Sequence, residues 1–157
     1  MSDTEFLRYI KDKDAIEKLI FSYATALDER QFSLLAPIAT DNLHFNYGGV
    51  FKGDTPDAWV DMIKSNLGGC GPSQHLFSNI RINTNYSTSI DSARAVFYGR
   101  VVHAGKADER EILFDFWGEY QCKLLRVATD THGGWRFCEV VQVPFHFTGD
   151  MKILKSE

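Results

Sequence analysis

The chain changes its periodicity at Gln74, and that change limits the folds open to it. From there on it carries four long segments rich in aromatic and β-branched residues, roughly Gln74 to Thr84, Ser92 to Ala104, Glu111 to Val127 and Trp135 to Gly149. Turn-forming stretches part them, as in the polar, glycine-ended run Thr129-Asp130-Thr131-His132-Gly133-Gly134. Period-two alternation puts Ile112, Phe114, Phe116, Gly118, Tyr120 and Cys122 on one face, and groups Trp135, Phe137, Val141, Val143, Phe145 and Phe147 on another. Long antiparallel strands of this kind need a cover for their apolar side, and the N-terminal third supplies it as helices. The expectation is an α+β domain with helices on one face of a curved sheet.

Those helices are legible from their ends. Thr4 to Asp12 reads as a short lead-in helix with Phe6, Leu7 and Ile10 on one side. A main helix follows, with Asp14-Ala15-Ile16-Glu17 as a capping-box pattern and Asp12 as the alternative cap. Ile16, Leu19, Ile20, Tyr23, Ala24 and Leu27 form its apolar stripe. Phe32 to Ile38 is a brief helical piece interrupted by Pro37. Leu43 to Tyr47 reads as a strand, Gly48-Gly49 as its turn and Val50-Phe51-Lys52 as the return. Thr55-Pro56-Asp57 then starts a helix that buries Val60, Ile63 and Leu67 and ends at Gly68-Gly69. With 157 residues, 44% of them hydrophobic, and no repeat or linker, the expectation is one domain spanning 1–157.

The net charge of -4 is spread, with no cluster of lysine or arginine, so neither nucleic acid nor an anionic membrane surface is an expected partner. No apolar run has the length of a membrane span, and the acidic start Met1-Ser2-Asp3-Thr4-Glu5 leads into no apolar signal core. Cys70, Cys122 and Cys138 are odd in number and form no C-x-x-C pair, which argues against a zinc site or a disulfide framework and for a cytoplasmic protein. No two histidines have metal-ligand spacing, and no phosphate-cradling or dinucleotide pattern is present, so no metal and no cofactor are expected.

One residue is out of place in the main helix. Asp28 continues the Ile20, Ala24 row of its apolar stripe, where burial costs solvation and the helix C-terminus adds negative potential. A partner must compensate, and His75 in Gln74-His75-Leu76-Phe77-Ser78-Asn79 is of the right type. A carboxylate holding an imidazole is a general-base arrangement, and the plainer reading is a hydrogen bond tying helix to strand. Strand parity opposes the pairing: His75 alternates with Phe77, Asn79 and Arg81, whereas Leu76, Ile80 and Ile82 look like the more apolar face, so either a bulge or a sheet covered on both sides is needed to bring His75 inward. Tyr23 and Tyr47 carry phenols that could hydrogen-bond a substrate carbonyl or equally fill the core. His103 alternates with Ala95, Phe97, Gly99 and Val101 on an inward face, as a second acid, a water-holder or a buried histidine. His146 falls opposite Phe145 and Phe147, at a rim or a subunit contact. Cys70 lies close in sequence to His75, with no cue for a low-pKa thiolate.

Taken together, helix-borne Tyr23 and Asp28, Tyr47, the Gln74-His75 strand start and the closing Gly134-Trp135-Arg136-Phe137 resemble the SnoaL-like branch of the nuclear transport factor 2-like superfamily. The resemblance runs over nearly the whole chain. It implies a cone-shaped α+β fold, N-terminal helices on a strongly curved, mixed, mainly antiparallel sheet around an apolar pocket. Members include scytalone dehydratase, hexachlorocyclohexane dehydrochlorinase, bile-acid dehydratases, steroid isomerases and polyketide cyclases, several of which use an aspartate and histidine pair to move a proton. The matching pair here is Asp28 and His75. Leu27-Asp28-Glu29-Arg30-Gln31 is similar to the dehydrochlorinase, Tyr47 and His103 fall at pocket positions of the dehydratase, and the dehydrochlorinase's arginine corresponds to Arg126 or Arg136.

The expected function is that of a cofactor-independent lyase or isomerase, removing a proton from a small, largely apolar hydroxy-ketone-like substrate, polycyclic ones included. The alternative is a noncatalytic ligand-binding or accessory subunit of the same fold. An epoxide hydrolase would need a carboxylate, arginine and carboxylate relay, for which Asp115 and Arg100 are the available residues. A homodimer or homotrimer is expected, through an open sheet face near Trp117 and Trp135.

Overall fold

The computed structural model describes residues 2–84, 89–127 and 131–154. Part of the expected turn at 129–134 falls outside them. Helix α1 (Asp3–Asp28) is one continuous helix, where a lead-in and a main helix were expected. No glycine or proline interrupts those residues, and Ser2 closes a full capping box with Glu5 at the start. Asp12 caps nothing. Its carboxylate accepts from the buried Trp135 Nε1 at 3.2 Å and pairs with Arg126 at 2.7 Å.

Strand β1 (Ala39–Tyr47) follows two 3-10 turns, the second carrying Pro37, and returns through β2 (Phe51–Gly53). Helix α2 (Pro56–Leu67) starts where the sequence places it, with Thr55 Oγ1 accepting from the Ala58 N–H. Strands β3 (Ser73–Thr84), β4 (Ser92–Ala104), β5 (Leu113–Arg126) and β6 (Trp135–Gly149) complete a six-stranded sheet in the order β2-β1-β6-β5-β4-β3. Only β1 and β6 run parallel, so the sheet is mixed and mainly antiparallel.

Bulges on β3 and β6 decide which of their side chains face the helices. On β3, Ser78 pairs with Tyr98 and Arg81 with Val96, three residues against two, with Asn79 in the left-handed region at φ 52. The extra residue reverses parity, so His75 and Phe77 before it share the helix side with Ile80 and Ile82 after it. Asparagine tolerates this backbone and a β-branched residue does not. Asn79→Gly is therefore expected to be silent and Asn79→Val to cost about 1–2 kcal/mol in urea unfolding.

On β6 the bulges correct the expected face. Lys123 pairs with Glu139 and Leu124 with Phe137, so Cys138 is extra and Val140 replaces Val141 on the buried side. Val141 and Val143 turn outward. A second bulge between Trp117 and Gly118 leaves Phe145 packed edge-on to Trp117, and returns Phe147 to the side of Phe114. Trp135, expected on an open contact face, is fully buried, whereas Trp117 remains about half exposed.

The core lies between α1, α2 and the inner face of the sheet. Trp59, Trp135, Tyr23, Tyr120, Phe45, Phe97 and Phe137 are its largest buried rings. Gly99 makes room for Tyr120 and for the partly buried Phe77. A Cβ there would sit 2.6 Å from the Tyr120 ring and 3.2 Å from that of Phe77. No helix among the described residues is long and apolar enough to cross a membrane.

Candidate active site

The end of α1 and the start of β3 meet through one carboxylate. Asp28 accepts from the His75 ring at 2.6 Å, from the His75 backbone N–H at 3.1 and 3.0 Å, and from Ser73 Oγ at 3.4 Å. A carboxylate only accepts, so His75 Nδ1 carries the hydrogen and Nε2 is the basic nitrogen. Nε2 has no hydrogen-bond partner among the described residues. The His75 side chain is 5% exposed and that of Asp28 26%. Burial pushes the Asp28 carboxyl up, but the ring and backbone hydrogen bonds of His75 outweigh it and hold the carboxyl below the usual carboxylate range.

His103 stands beside this pair, its ring 5.6 Å from that of His75 and nearly perpendicular to it. Burial drives its pKa down to about 3, helped by the positive potential of His75 and Arg30 and opposed by Asp28. It is therefore a neutral imidazole at physiological pH, which fits holding a hydrogen bond and does not fit the role of second acid. Its Nδ1 lies 3.9 Å from Cys70 Sγ.

Three residues of this cluster were not singled out as site residues from the sequence. Arg30 Nη1 donates to Leu27 O at 2.6 Å and Ser73 Oγ at 2.7 Å, while Nη2 donates to Gly71 O at 2.6 Å and Cys70 Sγ at 3.0 Å. Cys70 is buried, and burial raises its thiol pKa despite the nearby Arg30 charge. The available signal was an arginine two residues beyond Asp28 and a serine two residues before His75. The loop between needs its glycine, since a Cβ at Gly71 would overlap Gly105 O.

Arg126 and Arg136 do not reach this cluster. Arg126 pairs with Asp12 and Asp91 and lies over the Trp135 ring. Asp12 is about 24 Å along α1 from Asp28 at 1.5 Å per residue. Arg136 follows Trp135 on β6 and pairs in register with Leu125, at that same far end. The arginine beside Asp28 is Arg30.

Tyr23 and Tyr47 form a second polar group, deeper in the core. Their hydroxyls are 2.7 Å apart, and Trp59 Nε1 donates to Tyr47 OH at 2.9 Å. Both phenols have pKa values raised above the ordinary range, chiefly by burial. Three polar hydrogens serve these two hydrogen bonds, so one hydroxyl hydrogen is left over. Phe77 lies between the two groups, 6.2 Å from the His75 ring and 5.8 Å from the Tyr23 ring by centroid. Tyr47→Phe strands the buried Trp59 N–H and is expected to cost about 1–3 kcal/mol, against less for Tyr23→Phe, by chemical denaturation.

Arg100 and Asp115 form an exposed ion pair at 2.6 Å on the opposite face of the sheet, in a cavity of about 540 Å³ with Trp117 and Phe145. A second cavity of about 470 Å³ opens beside α1 at Phe21 and Leu34. Neither is lined by Asp28 or His75. Among the described residues no three His, Cys, Asp or Glu side chains are grouped to hold a metal ion.

Asp28 at the end of α1 and His75 on β3 thus meet on the helix-covered side of a mixed six-stranded sheet, in a small α+β domain. The chain belongs to the SnoaL-like domain family, whose profile matches residues 8–141. It is 27% identical over 139 residues to the uncharacterized protein Rv2910c of Mycobacterium tuberculosis, covering 85% of each chain. Among solved structures it superposes on a protein of Novosphingobium aromaticivorans provisionally named scytalone dehydratase, with a TM-score of 0.78, 20% identity, and coverage of 96% of this chain and 92% of that one. LinA, a hexachlorocyclohexane dehydrochlorinase, gives 0.78 at 18% identity, covering 96% and 97%. At those identities the likeness is one of fold.

Proposed function

We propose that the protein is a cofactor-independent lyase or isomerase of the dehydratase type, acting on a small, largely apolar hydroxy-ketone-like substrate, fused-ring compounds included. The observation that carries this reading is the 2.6 Å contact of buried His75 with Asp28, which leaves Nε2 basic and without a hydrogen-bond partner among the described residues. In the reaction His75 Nε2 removes a proton next to the substrate carbonyl, and Asp28 stabilises the imidazolium that forms. The spare hydroxyl hydrogen of the Tyr23 and Tyr47 pair suits a developing enolate oxygen, and His103 holds a neutral hydrogen bond at the same side. In a dehydration the hydroxyl group then leaves as water, taking the proton held on His75 Nε2 and returning the imidazole to its neutral form; in an isomerisation that same proton is delivered to another carbon. The resemblance of the fold to dehydratases and a dehydrochlorinase supports the class of reaction.

A second reading is a noncatalytic ligand-binding or accessory subunit. Phe77, stacked on Tyr23 and edge-on to His75, favours it, because a substrate bridging the base and the phenols must displace that ring. Proton exchange separates the two. Candidate ketones in deuterated water are followed by NMR for loss of the α-proton signal, with His75→Ala as control. His75-dependent exchange supports the enzyme, and ligand-induced shifts without exchange support the binding protein. The exposed aromatic face around Trp117 and Phe145 supports assembly into a homodimer or homotrimer.

A further inference from the structure

Arg30 occupies a position where glycine is the usual residue. Helix α1 ends in a Schellman arrangement, with Gln31 N–H donating to Ala26 O at 2.9 Å and Arg30 N–H to Leu27 O at 3.3 Å. This places Arg30 in the left-handed region at φ 58, a conformation that a side chain with a Cβ disfavours. The arginine is held there by its own guanidinium, which turns back across the helix end. Its acceptors are backbone carbonyls, the Ser73 hydroxyl and the Cys70 thiol, and no ion pair involves it among the described residues.

Two of those acceptors lead to the candidate site by separate routes. Ser73 Oγ, which accepts from Arg30, is itself 3.4 Å from Asp28 Oδ1 and starts the strand that bears His75. Cys70 Sγ, which accepts from the other guanidinium nitrogen, lies 3.9 Å from His103 Nδ1. We propose that Arg30 is the positioning residue of the site, one arm of its fork fixing the Asp28–His75 pair through Ser73 and the other orienting His103 through Cys70. The fork matters as much as the charge, since two nitrogens at a fixed angle set the spacing of the two arms. The proposal rests on the site assignment above but not on turnover.

The test uses the full chain and three measurements on Arg30→Gly and Arg30→Lys. The groups facing His103 are His75, Arg30, Asp28 and Cys70, so its titration reports on the loss of one positive neighbour. In Arg30→Gly, the proton resonance of the His75 Nδ1–H is expected to broaden into solvent exchange and the His103 titration to move to higher pH. In Arg30→Lys, which keeps the charge without the fork, the His75 resonance is expected to be lost while the His103 titration moves less. Where a ketone is exchanged by the native protein, both variants are expected to slow it by roughly 10- to 100-fold. A helix-ending role alone predicts native histidine signals in Arg30→Gly, because glycine suits that backbone better, and that result overturns the proposal. Should Arg30→Gly not fold, an unchanged His75 resonance in Arg30→Lys overturns it equally. A native protein with no exchange on any ketone counts against the enzyme reading alone, since the histidine signals still report on Arg30.

Discussion

His75→Ala is expected to slow ketone proton exchange by roughly 10²- to 10⁴-fold, the usual contribution of a positioned general base, while the protein stays folded. The fold survives because Asp28 keeps its hydrogen bonds from the His75 backbone N–H and from Ser73, neither of which needs the imidazole. Asp28→Asn is the sharper probe. Both carboxylate oxygens accept from the same backbone N–H, so one end of an amide there must turn its own N–H toward a donor. The variant is expected to lose about 1–3 kcal/mol in urea unfolding and to lose exchange activity as well, since an amide cannot stabilise an imidazolium. A His75→Ala protein that exchanges ketone protons at the native rate removes the mechanism altogether.

The second large effect is acid destabilisation beginning well above the carboxylate range. His103 folds as a neutral imidazole with a pKa near 3, against an ordinary value of 6.5. Between those values the unfolded chain binds a proton that the folded chain excludes, so stability rises with pH and falls as the solution is acidified. At 1.36 kcal/mol per unit this amounts to about 3 kcal/mol between pH 7 and pH 4. Asp28, whose folded pKa lies below its ordinary 3.8, adds stability present above that value and lost only as pH falls further. Urea midpoints measured across this range are expected to slope in the native protein and to flatten above pH 4 in His103→Phe. A slope unaltered by that substitution would assign the acid limb to other groups.

The helix-and-sheet architecture was legible because its signals are local. Thr55 and Pro56 announce α2, and the long alternating segments announce β3 to β6. The join of the lead-in and main helices is hidden by two good capping residues: Asp14 instead pairs with Lys18 one turn on, and the Asp12 carboxylate is bound to Trp135 and Arg126, more than a hundred residues away. The face of β6 was misread because a bulge at Cys138 shifts parity and leaves no composition signal. Asp28 and His75 could be picked out because each is anomalous in its own segment. Arg30 could not, since an arginine after a helix is unremarkable until its left-handed backbone and its four close acceptors are seen. Arg126 and Arg136 lie toward the end of α1 away from Asp28, Arg126 being paired with Asp12 about 24 Å along the helix at 1.5 Å per residue, a separation that no local sequence signal conveys.

The extra residue at Asn79 makes length, as much as chemistry, a determinant of this site. Deleting that residue would restore regular pairing to β3 without altering any functional group, and it would turn the segment before it over relative to the segment after it. Either His75 and Phe77 would rotate to the outer surface, or Ile80 and Ile82 would. A one-residue insertion or deletion within β3 is therefore expected to displace one of these two faces, and a matching one-residue change on β4 to restore the pairing.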